Sequence, residues 1–157
     1  MDLYFAYGSN MSTPRLQARV GDARPLHRAC VEGWQLCFDK PGRDGTAKAN
    51  LVPVPEARAW GVLFEIPAAA WDVLDGFERG YERRRLRLAD RAGAALHAQA
   101  YVYRPAAQSP APTPPASRDA PRRTGRPSAA YLEHLLAGAR EHGLPQRHVA
   151  WIASFAR

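Results

Sequence analysis

The amino-acid sequence predicts an α+β fold, and three observations lead there. Six short segments of strand character, bounded by Gly, Pro or Asp, are spread through the first 103 residues. Helical periodicity is confined to a few scattered stretches. The order of the two lacks the regular strand–helix repeat of a doubly wound sheet. At 157 residues, with 46% apolar and 24% charged side chains, the chain matches one ordinary domain spanning 1–157. Such a domain buries a core without help from metals or disulfides.

The elements follow in order. LYFAYG (3–8) is an apolar strand that runs into Gly8-Ser9-Asn10, and Thr13–Val20 is the first helix. WQLCF (34–38), ANLVPV (49–54) and AWGVLFEI (59–66) are strands, with Pro53 and Pro55 marking a break between the last two. Pro67–Phe77 is a second helix, with proline at a permitted first-turn position. RRLRLA (84–89) and LHAQAYVY (96–103) alternate in polarity, as strands with one wet face do. Residues 105–127 hold seven of the 14 prolines and no large apolar side chain, so the stretch reads as a flexible Pro/Arg-rich insert within the domain. A third helix follows, with Ser128 as its N-cap and Tyr131, Leu132, Leu135, Leu136 and Ala139 on one face. Gly143 and Pro145 stop it, and HVAWIASFAR (148–157) folds back on the core.

Charge and composition exclude several classes. Of 22 cationic residues, only Lys40 and Lys48 are lysine, and the net charge is +7. Arg104 to Pro127 carries +4 of that, in a stretch without aromatic residues, which leaves +3 for the rest. Nucleic-acid binding wants cations on a folded face interleaved with aromatics, so no nucleic-acid partner is expected. No run of 18 apolar residues is present, and the start lacks the pattern of a signal peptide. The expectation is a cytoplasmic protein without a membrane partner, with Cys30 and Cys37 as reduced core thiols. GxGxxG, GxxxxGK[ST], HExxH and CxxC are all missing, and His27, His97, His134, His142 and His148 lack ligand spacing. No metal site is expected.

Three segments carry possible chemistry. The turn after the first strand, with Gly8 free to take positive φ, is either a helix-capping turn or a nest of N–H groups for a carboxylate or oxyanion. Glu78 and Glu82 lie among Arg79, Arg83, Arg84 and Arg85. They form a surface charge cluster, or one of them turns into a pocket as a general base. Tyr101, Tyr103 and Tyr131 either pack in the core or orient a polar ligand through their hydroxyls.

Taken in order, YFAYGSNM (4–11), LDGFERGYERR (74–84) and YLEHLLAGAREHGLP (131–145) resemble the gamma-glutamylcyclotransferase family, also called AIG2-like or butirosin-biosynthesis-like cyclotransferases. GWQLCFDK (33–40) and ANLVPVPEARAWGVLFEI (49–66) are similar to the family as well. The resemblance implies a small mixed β-barrel flanked by helices. It places the catalytic glutamate at Glu78, the E of LDxxE, and a substrate-binding turn at Tyr4, Phe5, Ala6, Tyr7, Gly8, Ser9 and Asn10. It adds Tyr101 and Tyr131 as substrate-binding tyrosines. Arg79 stands where the family usually has a glycine, and the loop before the next strand is short. The implied reaction converts a small γ-glutamyl compound into 5-oxoproline and a free amine, with no cofactor. Two other readings stay open: a silent relative that binds a small polar metabolite, and a basic adaptor that binds polyanions through its Arg-Pro stretch. The oligomeric state is not legible.

Overall fold

The computed structural model describes residues 1–105 and 125–156. The Pro/Arg-rich insert expected over 105–127 therefore lies almost wholly outside the described residues. In chain order the elements are β1 (Asp2–Ala6), a 3-10 turn (Ser9–Met11), α1 (Thr13–Val20), β2 (Arg24–Pro41) and β3 (Ala47–Ile66). Then come α2 (Ala70–Phe77), β4 (Glu82–Ala89), β5 (Ala95–Val102), α3 (Ala129–Glu141), α4 (Gln146–Ala153) and a last 3-10 turn (Ser154–Ala156). The strands close into a barrel in the order β1-β3-β2-β4-β5, so the expected mixed barrel with flanking helices is what forms. All neighbours are antiparallel except β1 and β5, which meet in parallel at Tyr4 and Gln99.

β2 and β3 make one long hairpin. Its tip closes through Gly42 N–H to the Thr46 carbonyl (2.9 Å), with Gly45 at φ +80°. The Asp44 carboxylate there accepts from the Thr46 amide and hydroxyl, an Asx-type lock on the turn. Two expectations fail in this region. Arg24–Gly33 is strand although its polar run RPLHRACVEG shows no clean alternation. β3 runs unbroken through Pro53 and Pro55, which lie in the half that pairs with β2 alone, so one flank lacks a strand neighbour. The strain of the passage shows at Glu56, whose φ is +64°, beside the register shift between Glu32 and Trp34.

Phe5, Phe38, Phe64, Leu63, Ile66 and Leu88 are among the largest fully buried side chains of the barrel and its helix-covered face. β1 crosses β3 so closely at Gly61 that a Cβ there would stand 2.4 Å from the Ala6 carbonyl oxygen and 2.6 Å from the Phe5 ring. The helix on the other flank is capped as its sequence asks. The Ser128 hydroxyl accepts from Tyr131 N–H, and α3 ends with Leu144 N–H bonded to the Ala139 carbonyl and Gly143 N–H to that of Arg140, a Schellman turn with Gly143 at φ +62°. Leu144 is buried as the hydrophobic member of that motif. The chain then returns to the core as expected: Trp151 donates to the Leu36 carbonyl (2.9 Å) and the Phe155 ring lies 4.7 Å from that of Phe38. α3 presses on the first 3-10 turn at Gly138, where a Cβ would come within 2.6 Å of Met11 Cβ and Ser12 N. Both cysteines are buried and neither is in a disulfide. Among the described residues no helix is long and apolar enough to cross a membrane.

Candidate active site

Where β1 ends and α2 ends, the chain encloses a cavity of about 430 Å³. The first strand stops at Ala6, two residues short of the expected bound, and hands over to the turn that carries Gly8, Ser9 and Asn10. Gly8 takes φ −108°, so the expected positive φ is not adopted. A Cβ at Gly8 would stand at ordinary contact distance from the wall behind it, 3.4 Å from Ala49 Cβ and 3.7 Å from the Tyr131 hydroxyl. α2 starts at Ala70, with Pro67 contributing only a preceding turn, and Glu78 caps its C-terminus through a 2.8 Å bond to the Leu74 carbonyl. That bend turns the Glu78 side chain into the cavity, where 17% of it is exposed.

The Glu78 carboxylate accepts from Asn10 Nδ2 at 3.0 Å, and Arg19 Nη1 stands 3.7 Å away. The same Asn10 nitrogen donates to the Tyr4 hydroxyl at 3.0 Å, while Asn10 Oδ1 accepts from Arg19 at 3.2 Å. Burial pushes the Glu78 carboxyl above its ordinary value, and Arg19, Lys40, the Asn10 bond and Arg15 pull against that rise. Burial likewise raises the hydroxyls of Tyr4, Tyr7, Tyr81 and Tyr101, and holds Tyr131 up at about 12. These five phenols therefore keep their protons at neutral pH and serve as neutral donors.

A single backbone unit organises two of them. Residues 47–51 of β3 face away from β2 with their alternate peptide groups. Ala49 uses its N–H to donate to the Tyr131 hydroxyl (3.1 Å) and its carbonyl to accept from the Tyr81 hydroxyl (2.6 Å). Lys48 Nζ lies 4.5 Å over the Tyr131 ring and Lys40 Nζ 5.1 Å over that of Tyr81. Tyr101 is held by Asp75, the D of LDxxE, through a 2.6 Å hydroxyl bond, and Arg83 Nε stands 3.1 Å from the same carboxylate oxygen. The Tyr7 hydroxyl donates to the Tyr101 carbonyl.

Of the residues singled out in the sequence, Tyr4, Tyr7, Gly8, Ser9, Asn10, Glu78, Tyr101 and Tyr131 line this one cavity. Phe5 and Ala6 do not. Both are buried, at 0% and 1% exposure, with the Phe5 ring and the Ala6 carbonyl oxygen packed beside Gly61. Glu82 is exposed at the start of β4 and stays outside. Sequence reasoning overlooked Tyr81, although it lay within a quoted motif, and the cations Arg15, Arg19, Lys40, Arg43, Lys48 and Arg79, which also line the cavity. Against those six cations the lining offers two carboxylates, Glu78 and Asp44. The arrangement suits a small anionic ligand held beside a largely desolvated carboxylate that can exchange a proton.

Residues 58–152, more than half of the chain, match the family model described as the AIG2-like family. A mouse protein named gamma-glutamylcyclotransferase is 26% identical over 155 residues, covering 93% of this chain and 74% of the relative. A solved structure named gamma-glutamyl cyclotransferase superposes with a TM-score of 0.79 at 23% identity, over 98% of this chain and 86% of that one. A yeast gamma-glutamyl cyclotransferase described as specific to glutathione has a TM-score of 0.62 at 15% identity, over 99% of this chain and 93% of its own. At those identities the two structures speak to the fold.

Proposed function

The chain belongs to the AIG2-like family of gamma-glutamylcyclotransferase-like proteins, and from that premise we propose that it cyclises γ-glutamyl compounds to 5-oxoproline. The α-amine of the γ-glutamyl group attacks its own γ-carbonyl carbon, the bond to the γ-nitrogen breaks, and a free amine leaves. Both reacting groups belong to one molecule, so folding the substrate into a near-attack conformer supplies much of the acceleration. An α-ammonium of pKa roughly 8 must first lose a proton. Glu78 takes it and returns it to the departing nitrogen; the second proton, shed by the attacking nitrogen as the lactam forms, follows to the released amine, which leaves as its ammonium form, so no net proton is exchanged. The observation that carries this reading is the Glu78 carboxyl itself, turned into the cavity and raised toward the amine by burial. The tyrosine hydroxyls and the turn at Gly8–Asn10 bind the α-carboxylate or the developing oxyanion.

The cationic lining favours, among such substrates, those whose released amine carries a carboxylate of its own. The test is to incubate the protein with a panel of γ-glutamyl amino acids, peptides and neutral amides and to measure 5-oxoproline. Formation is expected, faster for γ-glutamylalanine than for its alaninamide counterpart. Binding of the panel without any 5-oxoproline would return the protein to a silent metabolite binder.

A further inference from the structure

Arg19 lies in the last turn of α1 and was assigned no part in the reaction above. Its guanidinium rests 4.5 Å over the Phe77 ring, an exposed aromatic at the cavity mouth, which fixes the plane of the fork. From there Nη1 reaches Asn10 Oδ1 at 3.2 Å and stands 3.7 Å from the Glu78 carboxylate. Asn10 is 3% exposed and makes all its side-chain bonds within this group.

A carboxamide has two orientations that differ only by exchange of oxygen and nitrogen. In the one described, the nitrogen donates to both Glu78 and Tyr4, each at 3.0 Å. The Tyr4 hydroxyl accepts or donates equally well, so it does not choose between them. An ionised Glu78 chooses the nitrogen, but a protonated one can donate to an oxygen and loses its vote at the step where it holds the substrate proton. Arg19 has donors only, so it selects the amide oxygen whatever the state of Glu78. Among the described residues it is also the one cation within 4 Å of that carboxylate. Arg15 of the same helix, Lys40 of β2 and the phenols of Tyr4, Tyr7, Tyr81 and Tyr131 are the other groups that act on Glu78 electrostatically, and the four phenols are neutral.

We propose that Arg19 is a positioning residue that holds the Asn10 amide nitrogen on Glu78 and Tyr4 throughout the proton cycle. The proposal rests on the cyclotransferase reading, and the experiment separates the two. Arg19→Met and Arg19→Lys are compared with the wild type for kcat, KM and the pH profile of kcat/KM, and the Glu78 carboxyl is titrated by ¹³C NMR without substrate. Loss of the clamp in Arg19→Met is expected to lower kcat about 10- to 100-fold with KM changed by less than about threefold. The acid limb and the NMR midpoint of Glu78 both move to higher pH, because a cation beside the carboxylate is gone. Arg19→Lys, still cationic and donor-only, returns the limb toward the wild-type position and part of kcat. A wild-type kcat with unmoved limb and midpoint in Arg19→Met overturns the proposal. So does a raised KM at unchanged kcat, which makes Arg19 a substrate ligand instead. If the wild type forms no 5-oxoproline, the cyclotransferase reading fails, and the NMR midpoint still decides the case: unmoved in Arg19→Met, it overturns the role of Arg19 as well.

Discussion

Glu78→Gln separates chemistry from architecture at one position. Gln retains the size of the side chain, and its carbonyl can accept the 3.0 Å bond from Asn10 Nδ2. What disappears is proton acceptance. A positioned general base contributes at least ~100-fold, so kcat for 5-oxoproline formation should fall by that factor or more, equivalent to ~2.7 kcal/mol in the barrier. Stability should move the other way. Burial raises the folded carboxyl above its ordinary value of 4.5, so folding favours the protonated form. As pH rises from 4.5 through the folded value, ionisation of Glu78 therefore draws stability down. Gln carries no such charge. At pH 7 the variant should melt at or above the wild-type Tm, and the difference should close toward pH 4. The assay is 5-oxoproline release at saturating substrate beside thermal melts from pH 4 to 8. Near-wild-type turnover in a folded variant would refute the assignment. A lower Tm at pH 7 that recovers in acid would refute the electrostatic reasoning.

Three further outcomes follow from particular contacts. His148 is 6% exposed, its Nε2 has no hydrogen-bond partner, and burial lowers it from 6.5 to about 4. Its contribution is complete above pH 6.5 and is lost as pH falls toward 4, on the order of 3 kcal/mol in full. Melts of His148→Leu over that range should lack this slope, and an equal slope in both proteins sinks the explanation. Gly138→Ala drives a Cβ to within 2.6 Å of the turn bearing Asn10, so Tm should fall, by about 1–3 kcal/mol of stability, together with turnover. An unchanged kcat in that variant would show that the turn moves independently of the site. Replacing residues 106–124 by a short Gly/Ser linker leaves the Ala47–Arg126 backbone bond in place and should preserve fold and turnover. Loss of activity with an intact melt would assign that stretch a functional part.

The local elements were legible because their signals are local. α1 could be bounded at Thr13 and Val20 by its Thr-Pro start and the following glycine, and α3 by Ser128 and Gly143. β2 was half-missed and β3 split because Arg24–Gly33 and the prolines at 53 and 55 owe their strand state to a partner strand, which no short window contains. The candidate site divides in the same way. Gly-Ser-Asn after a strand and LDxxE after a helix mark themselves, while Phe5 and Ala6 were swept in with the turn although both belong to the buried strand before it. The cations were hidden for another reason. Among 20 arginines no single one stands out, and Arg19 becomes notable only once α1 and α2 are brought side by side. Ala49 carries no side-chain signal at all, since its peptide group does the holding.

The seam between β1 and β5 has a consequence for how the molecule is made. β1 has no partner nearby in the chain: its earliest contacts are with residues 62–66, and the parallel closure waits for Gln99. At roughly 5–20 residues per second, a ribosome leaves Tyr4 without its seam partner for ~5–20 s after synthesis. Until residues 62–66 emerge the apolar run Leu3–Tyr7 is an unpaired strand, and until Gln99 follows one of its edges stays open to chaperones and to other chains. A nascent chain stalled before β5 would hold a complete β2–β3 hairpin yet lack both the Tyr101 wall and the closed cavity. The stretch from Tyr4 to Asn10, the first part of the site to be synthesised, is the last to find its place.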